Sequence, residues 1–296
     1  MKLSQLGEDR LLAQLLPDLP RAKSVLTGAG DDCALVKFRG ARDLLVLKTD
    51  CVVERVHFSV RARAREVGWK AMMRPLSDFA ACSALPEFAL VTLIVPATRS
   101  TTWVRQLYRG LNRAAARFDT AVVGGETSRA AGRAAISVMV IGFVEKNRCV
   151  LRSGGRAGDD LFVTGRLGGA LQGKHLRFVP RIRESRWLTA NFRVHAMIDL
   201  SDGLGSDLPR LAAASKLGFN LDLDQLPLAP GCKIDNAISD GEDYELLFAV
   251  SRRDRNRLQN AWRKEFPKLP LTRIGSLDRK SKTRSRKLPR GYVHFQ

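Results

Sequence analysis

The chain has 296 residues, an apolar fraction of 45% and a formal net charge of +20. That length buries a sizeable core in one or two domains, and no apolar run is long enough to span a bilayer. Cys33, Cys51, Cys82, Cys149 and Cys232 are odd in number with no CxxC pair, and Met1-Lys2-Leu3-Ser4-Gln5 has no secretory apolar core; this argues for reduced thiols in a cytoplasm and against a zinc site.

In chain order, Ser4 to Leu16 is predicted as a short amphipathic helix. Gly28-Ala29-Gly30-Asp31-Asp32 is a glycine turn with two acids that runs into a strand at Cys33-Ala34-Leu35-Val36. Leu44 to Lys48 is a buried strand ending in Thr49-Asp50. Ala64 to Ser83 has helical spacing, with Val67, Ala71, Leu76 and Phe79 on one face, and Pro75 is expected to kink or break it. Phe88 to Val95 is a strand, and Thr101 to Phe118 a helix capped by Ser100 or Thr101. Thr120 to Val123 is a strand feeding Gly124-Gly125-Glu126-Thr127-Ser128, and Ala134 to Val144 is a long strand.

The pattern then restarts. Leu161 to Thr164 is a strand, Arg183 to Ala190 a helix, and Ala196-Met197-Ile198 a short buried strand. Phe219 to Leu223 and Tyr244 to Val250 are strands, Arg252 to Phe266 a helix, and Leu271 to Ile274 a last strand. Ser281 to Arg286 is expected to be a flexible basic loop. Mixed strands and helices imply an α/β fold in two domains, 1–146 and 147–296.

The stretch from Ile198 to Asp207 holds Asp199, Asp202, Asp207, Ser201 and Ser206 on a strand-to-helix turn, with a helix expected from Leu208 to Ala214. Such a turn offers unpaired backbone N–H groups to anions. Carboxylates there would repel a bare phosphate, and Mg²⁺ is the natural bridge. A helix cap at Ser201 or Asp202 is the favoured explanation of this turn when it is taken alone. Asp31-Asp32, Asp50, Asp78, Glu126 and Glu242-Asp243 repeat the pattern of acids beside small residues. Together they point to a multi-metal nucleotide site for phosphoryl transfer. Gly168-Gly169-Ala170-Leu171-Gln172-Gly173-Lys174-His175 nearly spells a phosphate-binding loop. His175 stands where that motif needs a hydroxyl, so the stretch is read as a turn. The basic residues gathered after Arg252 lack interleaved aromatics between Arg279 and Lys287, so they are read as a solvated face with only nonspecific attraction for nucleic acid.

The ordered set resembles the thiamine-monophosphate kinase family, in the superfamily of aminoimidazole ribonucleotide synthetase and selenophosphate synthetase. The resemblance runs nearly end to end. It covers Gly30 to Leu35, Thr49-Asp50, Val53-Glu54, His57-Phe58, Lys70-Ala71, Leu76-Ser77-Asp78 and Gly124-Gly125 with Thr127. It continues through Arg152-Ser153-Gly154, Gly158-Asp159, Ile198 to Leu204 and Gly241 to Leu246. The resemblance implies an aminoimidazole ribonucleotide synthetase-like fold and a homodimer that phosphorylates thiamine monophosphate to thiamine diphosphate with ATP and Mg²⁺. It implies Asp32, Thr49, Asp50, Asp78, Asp199 and Asp202 as metal ligands, with Glu126 where the family has an aspartate ligand. By the same resemblance Gly125, Glu126, Arg152 and Ser201 would meet ATP, and His57 and Glu242 the thiamine phosphate. The sequence departs from the family at Lys48 (usually Ser), Pro75 (usually Asn), Glu126, Asp240 (usually Gly) and Pro289 (often Trp). Lys48 brings a charge that could replace one metal's. Two alternatives go with these departures and with the charge: a same-fold ATP enzyme for another phosphorylated small molecule, and a nucleic-acid-binding protein that has lost catalysis.

Overall fold

The computed structural model describes residues 2–20, 22–38, 42–279, 288–289 and 291. The basic loop expected at Ser281 to Arg286 lies outside the described residues. Two short helices open the chain, α1 (Leu3–Leu6) and α2 (Glu8–Leu15). The single helix expected there is broken at Gly7, whose φ of 77° is outside the helical region.

The first sheet contains β1 (Val25–Thr27), β2 (Ala34–Lys37), β3 (Asp43–Val53), β4 (Leu85–Val95), β5 (Ala121–Arg129) and β6 (Ala135–Glu145). Its order is β1-β2-β3-β6-β4-β5, and only the β4–β5 pair is parallel. Burial alternates strictly along β6, so one face is core and the other is open. Helices α3 (Ala64–Ala81) and α4 (Thr101–Ala116) form the layer over the core face. They touch backbone to backbone: a Cβ on Gly68 would lie 2.0 Å from the Leu107 carbonyl oxygen, and one on Gly110 would lie 2.0 Å from that of Arg65.

α3 runs unbroken through Pro75, against the expected kink or break. A proline removes one intrahelical bond, but residues on both sides of this one are buried and packed. β3 and β5 also run longer than expected. Thr49 and Asp50 therefore sit inside a strand, and Gly124 to Ser128 continue β5.

The second sheet contains β7 (Asp160–Thr164), β8 (Val194–Asp199), β9 (Gly218–Leu221), β10 (Leu246–Val250) and β11 (Leu271–Asp278) in the order β8-β10-β7-β11-β9, all antiparallel. Its helices are α5 (Ile182–Asn191), α6 (Leu204–Ala214), α7 (Ile234–Ser239) and α8 (Arg255–Glu265). Both faces of this sheet are buried. Phe162, Met197 and Phe248 join the core around α3, whereas Leu161, Val163, Ile198 and Leu247 face a second core with α6 and α7. The first core thus runs through both sheets, and α3 is the shared wall against which the site is built.

Candidate active site

Five segments converge on one cleft of about 610 Å³. The loop before β2 carries Asp31 in the lining and Asp32 buried beside it, β3 carries Lys48 and Asp50, and α3 carries Arg74 and Asp78. The end of β8 and the turn into α6 supply Asp199, Ser201 and Asp202, and Arg152 reaches in from the connection between the sheets. Strand geometry explains the aim of β3. Lys48 and Asp50 pair with the buried Val140 and Val138, so all four share the face toward α3.

Asp32, Asp78 and Asp199 are buried, and one carboxylate oxygen from each lies within 4.8 Å of the others. Ser77 donates its hydroxyl to Asp199 at 2.6 Å. Arg152 donates to Asp32 through Nη2 at 2.6 Å and Nε at 3.1 Å, and its backbone N–H donates to Asp31. Lys48 Nζ lies 2.9 Å from Asp78 and 3.9 Å from Asp50, and Arg74 lies 3.4 Å from Asp50. Arg210 pairs with both Asp202 and Asp207.

Burial, reinforced by the Asp32 charge, pushes Asp199 up to about 7. Burial also opposes ionisation of Asp50, but Lys48 and Arg74 outweigh it and hold that carboxyl below its ordinary range. Lys48 shows the converse: burial disfavours its charge, and Asp78 and Asp50 hold its proton well above the ordinary lysine value.

The trio fits a divalent cation on its own evidence. Its donors are hard oxygens, and Asp32 Oδ2 is buried with no hydrogen-bond partner among the described residues. Asp199 can ionise there only against a neighbouring carboxylate, a cost that a cation removes.

Three residues expected in the site stand apart from this cluster. Thr49 points to the open face of the sheet, where its hydroxyl meets Ser137 at 3.3 Å. Gly125 shares a row with Asp50 through Val138 and Val91, three strand spacings away, or ~14 Å. A Cβ at Gly125 would lie 1.8 Å from the Val91 carbonyl oxygen, which accounts for the glycine. Glu126 is exposed on the same edge strand and accepts from Ser128 at 3.0 Å.

His57 and Glu242 do come together, through a residue given no role in the sequence reading. The buried Lys70 donates to the His57 carbonyl oxygen at 2.7 Å and pairs with the Glu242 carboxylate. Arg74 was missed in the same way. The signal was present: Lys70, Arg74 and Asp78 recur every fourth residue along the apolar middle of the helix, a polar stripe on one face. Described residues of the C-terminal segment also approach the cleft. Gly291 donates its N–H to Ser206 at 3.0 Å, and a Cβ on Gly205 would meet the Pro289 carbonyl oxygen at 2.1 Å.

The near phosphate-loop stretch forms two short 3₁₀ turns, Ala170–Gln172 and Lys174–Leu176. Lys174 is engaged with Glu245 at 3.1 Å. A second cavity of about 610 Å³ borders Arg99 and Trp103 but holds a single carboxylate, Glu54, which Arg99 occupies at 2.7 Å.

Residues 30–144 match the AIR synthase related protein, N-terminal domain, and residues 152–281 match the AIR synthase related protein, C-terminal domain. The thiamine-monophosphate kinase of Rhodopirellula baltica is 36% identical over 97% of both chains. The chain belongs to the thiamine-monophosphate kinase family. The Bacillus subtilis enzyme of the family is 31% identical over 94% of both chains. Among solved structures, AaThiL complexed with AMPPCP and TMP superposes with a TM-score of 0.85 at 30% identity, covering 99% of each chain. Thiamine-monophosphate kinase from Stenotrophomonas maltophilia gives 0.74 at 33% identity, covering 92% of this chain and 93% of that one. Among the described residues no helix is long and apolar enough to cross a membrane.

Proposed function

We propose that this chain transfers the γ-phosphoryl group of ATP to the phosphate of thiamine monophosphate, yielding thiamine diphosphate and ADP in one in-line step with Mg²⁺. The observation that carries this reading is the buried trio Asp32, Asp78 and Asp199, with Arg152 bound to Asp32, at the floor of an open cleft in a chain of this family. The attacking atom is a phosphate oxygen, already anionic at neutral pH, so no strong general base is required. The work is to bring two anions into line and to screen their repulsion.

Asp32, Asp78 and Asp199 would hold Mg²⁺, with Asp50 and Asp202 beside them. The ion supplies charge neutralisation and orientation of the phosphates when bound. Arg152 adds a fixed guanidinium suited to a phosphate oxygen. Ser201 lies in the cleft and offers a hydroxyl to the nucleotide. His57 and Glu242, tied together by Lys70, are assigned to the thiamine phosphate.

The half 1–146 would then hold nucleotide and metal and carry the dimer contact. The half 147–296 would complete the site. The open face of the first sheet supports a homodimer. Leu85 and Phe88 are exposed there at 49% and 38%, and Leu90 at 37%, with Val123 exposed on the edge strand. Gly125, Glu126 and Thr49 belong to that same face or edge, which would let a second copy bring them to a bound nucleotide. A cytoplasmic setting agrees with the free cysteines.

The test is coupled turnover with Mg-ATP and thiamine monophosphate, scored for thiamine diphosphate and ADP. Diphosphate formed in step with ADP supports the reading. ATP binding without product moves the substrate to another phosphorylated small molecule, a reading that Pro289 beside the Asp202 turn favours.

A further inference from the structure

We propose that the Lys48 ammonium is a built-in cation of this site, filling the position between Asp50 and Asp78 that a divalent ion would otherwise take. The inference deepens the reading above and rests on its assignment of the cleft to metal and nucleotide. Asp50, Asp78 and Asp199 line the cleft between the two sheets, and Asp32 is buried against Asp78 and Asp199. Three protein cations contact them, Lys48 on Asp78 at 2.9 Å, Arg74 on Asp50 at 3.4 Å and Arg152 on Asp32 at 2.6 Å. With all four carboxylates ionised, as a bound divalent cation would require, four negative charges against three positive leave these groups at −1 apart from that ion.

The distribution is uneven. Asp50 and Asp78 share Lys48, and Asp50 also has Arg74. Among the described residues, Asp199 accepts a side-chain hydrogen bond from the neutral Ser77 hydroxyl, and Asp32 Oδ2 has no hydrogen-bond partner. The unmet demand for positive charge therefore lies on the Asp32–Asp199 side. A divalent ion there, within reach of Asp78, brings the floor to +1, suited to a polyphosphate. A second ion between Asp50 and Asp78 would meet the ammonium at contact distance, and two cations repel strongly in a site with little water.

Lys48 is also poorly placed to withdraw. It sits in the middle of β3, paired with Val140 of β6, and its side chain is only 23% exposed. An ammonium bonds at roughly 2.8–3.0 Å where Mg²⁺ needs 2.0–2.1 Å to six ligands. The substitution thus exchanges a demanding, dissociable ion for a permanent charge.

The experiment counts ions rather than turnover. Mn²⁺ alone is titrated into the full chain, and bound ions are counted from the paramagnetic resonance of free Mn²⁺. Lys48→Met is expected to bind one more Mn²⁺ per chain than the wild type, and Lys48→Arg to keep the wild-type count. The added ion should vanish in Lys48→Met/Asp78→Asn. An unchanged count in Lys48→Met overturns the proposal. A second measurement needs no variant: with lysine labelled at ¹⁵Nζ, the Lys48 ammonium resonance should persist at saturating Mg²⁺, and its loss would equally overturn it. Turnover is scored separately. A chain without kinase activity that still shows the count difference sinks the kinase reading and leaves this one standing; normal turnover with an unchanged count does the reverse.

Discussion

Lys70 and Glu242 lie 172 residues apart in sequence and form an ion pair whose ammonium is fully buried. The ammonium is shielded from water, and it donates a second bond to the His57 carbonyl oxygen. Burial lowers its pKa to about 8, against the pull of Glu242. Removing one member of such a pair strands the other charge and costs about 3–5 kcal/mol. Lys70→Met should therefore melt well below the wild type. The double variant Lys70→Met/Glu242→Gln should recover part of that loss, because no stranded carboxylate remains. Calorimetric melting of the wild type, Lys70→Met, Glu242→Gln and the double variant checks this; a double variant no better than Lys70→Met would refute the coupling.

Asp199 sets a pH dependence for the metal-free protein. Its folded pKa is about 7, raised first by burial, against an ordinary aspartate value near 3.8. The folded state therefore binds the extra proton, and the stability this provides is complete below about pH 4 and lost as pH rises through 7. Between pH 6 and 8 one such group costs about 1.4 kcal/mol, roughly 2–4 °C in Tm. The metal-free protein should melt higher at pH 6 than at pH 8, Asp199→Asn should flatten that slope, and Mg²⁺ should reverse it. A slope indifferent to residue 199 would contradict the assignment.

Asp199→Asn and Asp50→Asn should test different parts of the cleft. Asp199 belongs to the trio with the unmet charge, whereas Asp50 is already paired by Lys48 and Arg74. Loss of kcat on the order of 10²–10³ is expected at position 199, as for removal of one electrostatic stabiliser. Asp50→Asn should lose less, since two cations remain nearby. Wild-type rates in both variants would be incompatible with the site described.

Gly110 permits the close crossing of α3 and α4. Its Ala variant places a methyl 2.0 Å from the Arg65 carbonyl oxygen, a backbone atom that cannot rotate away. Overpacking of this kind costs about 1–3 kcal/mol. Chemical denaturation of Gly110→Ala should show that loss with an unchanged m-value, and an unaltered midpoint would refute the contact.

Leu90 tests the open sheet face. Leu90→Asp should shift a dimer to monomer in light scattering while leaving the Mn²⁺ affinity of the Asp32, Asp78 and Asp199 trio intact. A variant that stays dimeric would move the subunit contact elsewhere.

Much of the site could be read from the chain because its acids punctuate small-residue turns. Asp32, Asp78 and Asp199 were each visible, although nothing local says that they meet. Arg152 was legible only through resemblance, as its partner Asp32 lies 120 residues away. Lys70 and Arg74 went unread as site residues because α3 was judged by its apolar face. α7 went unseen because Ile234–Ser239 is too short for a helical period to emerge. The ends of β3 and β5 were misjudged for a different reason: polar and glycine residues normally close a strand, but pairing with β6 and β4 carries these two onward. Pro75 is a third case, where tertiary burial overrides a local breaker.

The carboxylate trio is distributed in time as well as in space. Asp32 and Asp78 leave the ribosome more than a hundred residues before Asp199, the last of the three oxygens within 4.8 Å. A nascent first half therefore lacks the ligand that completes the trio. If the trio holds an ion as proposed, its capture would require the second sheet to have been synthesised and docked.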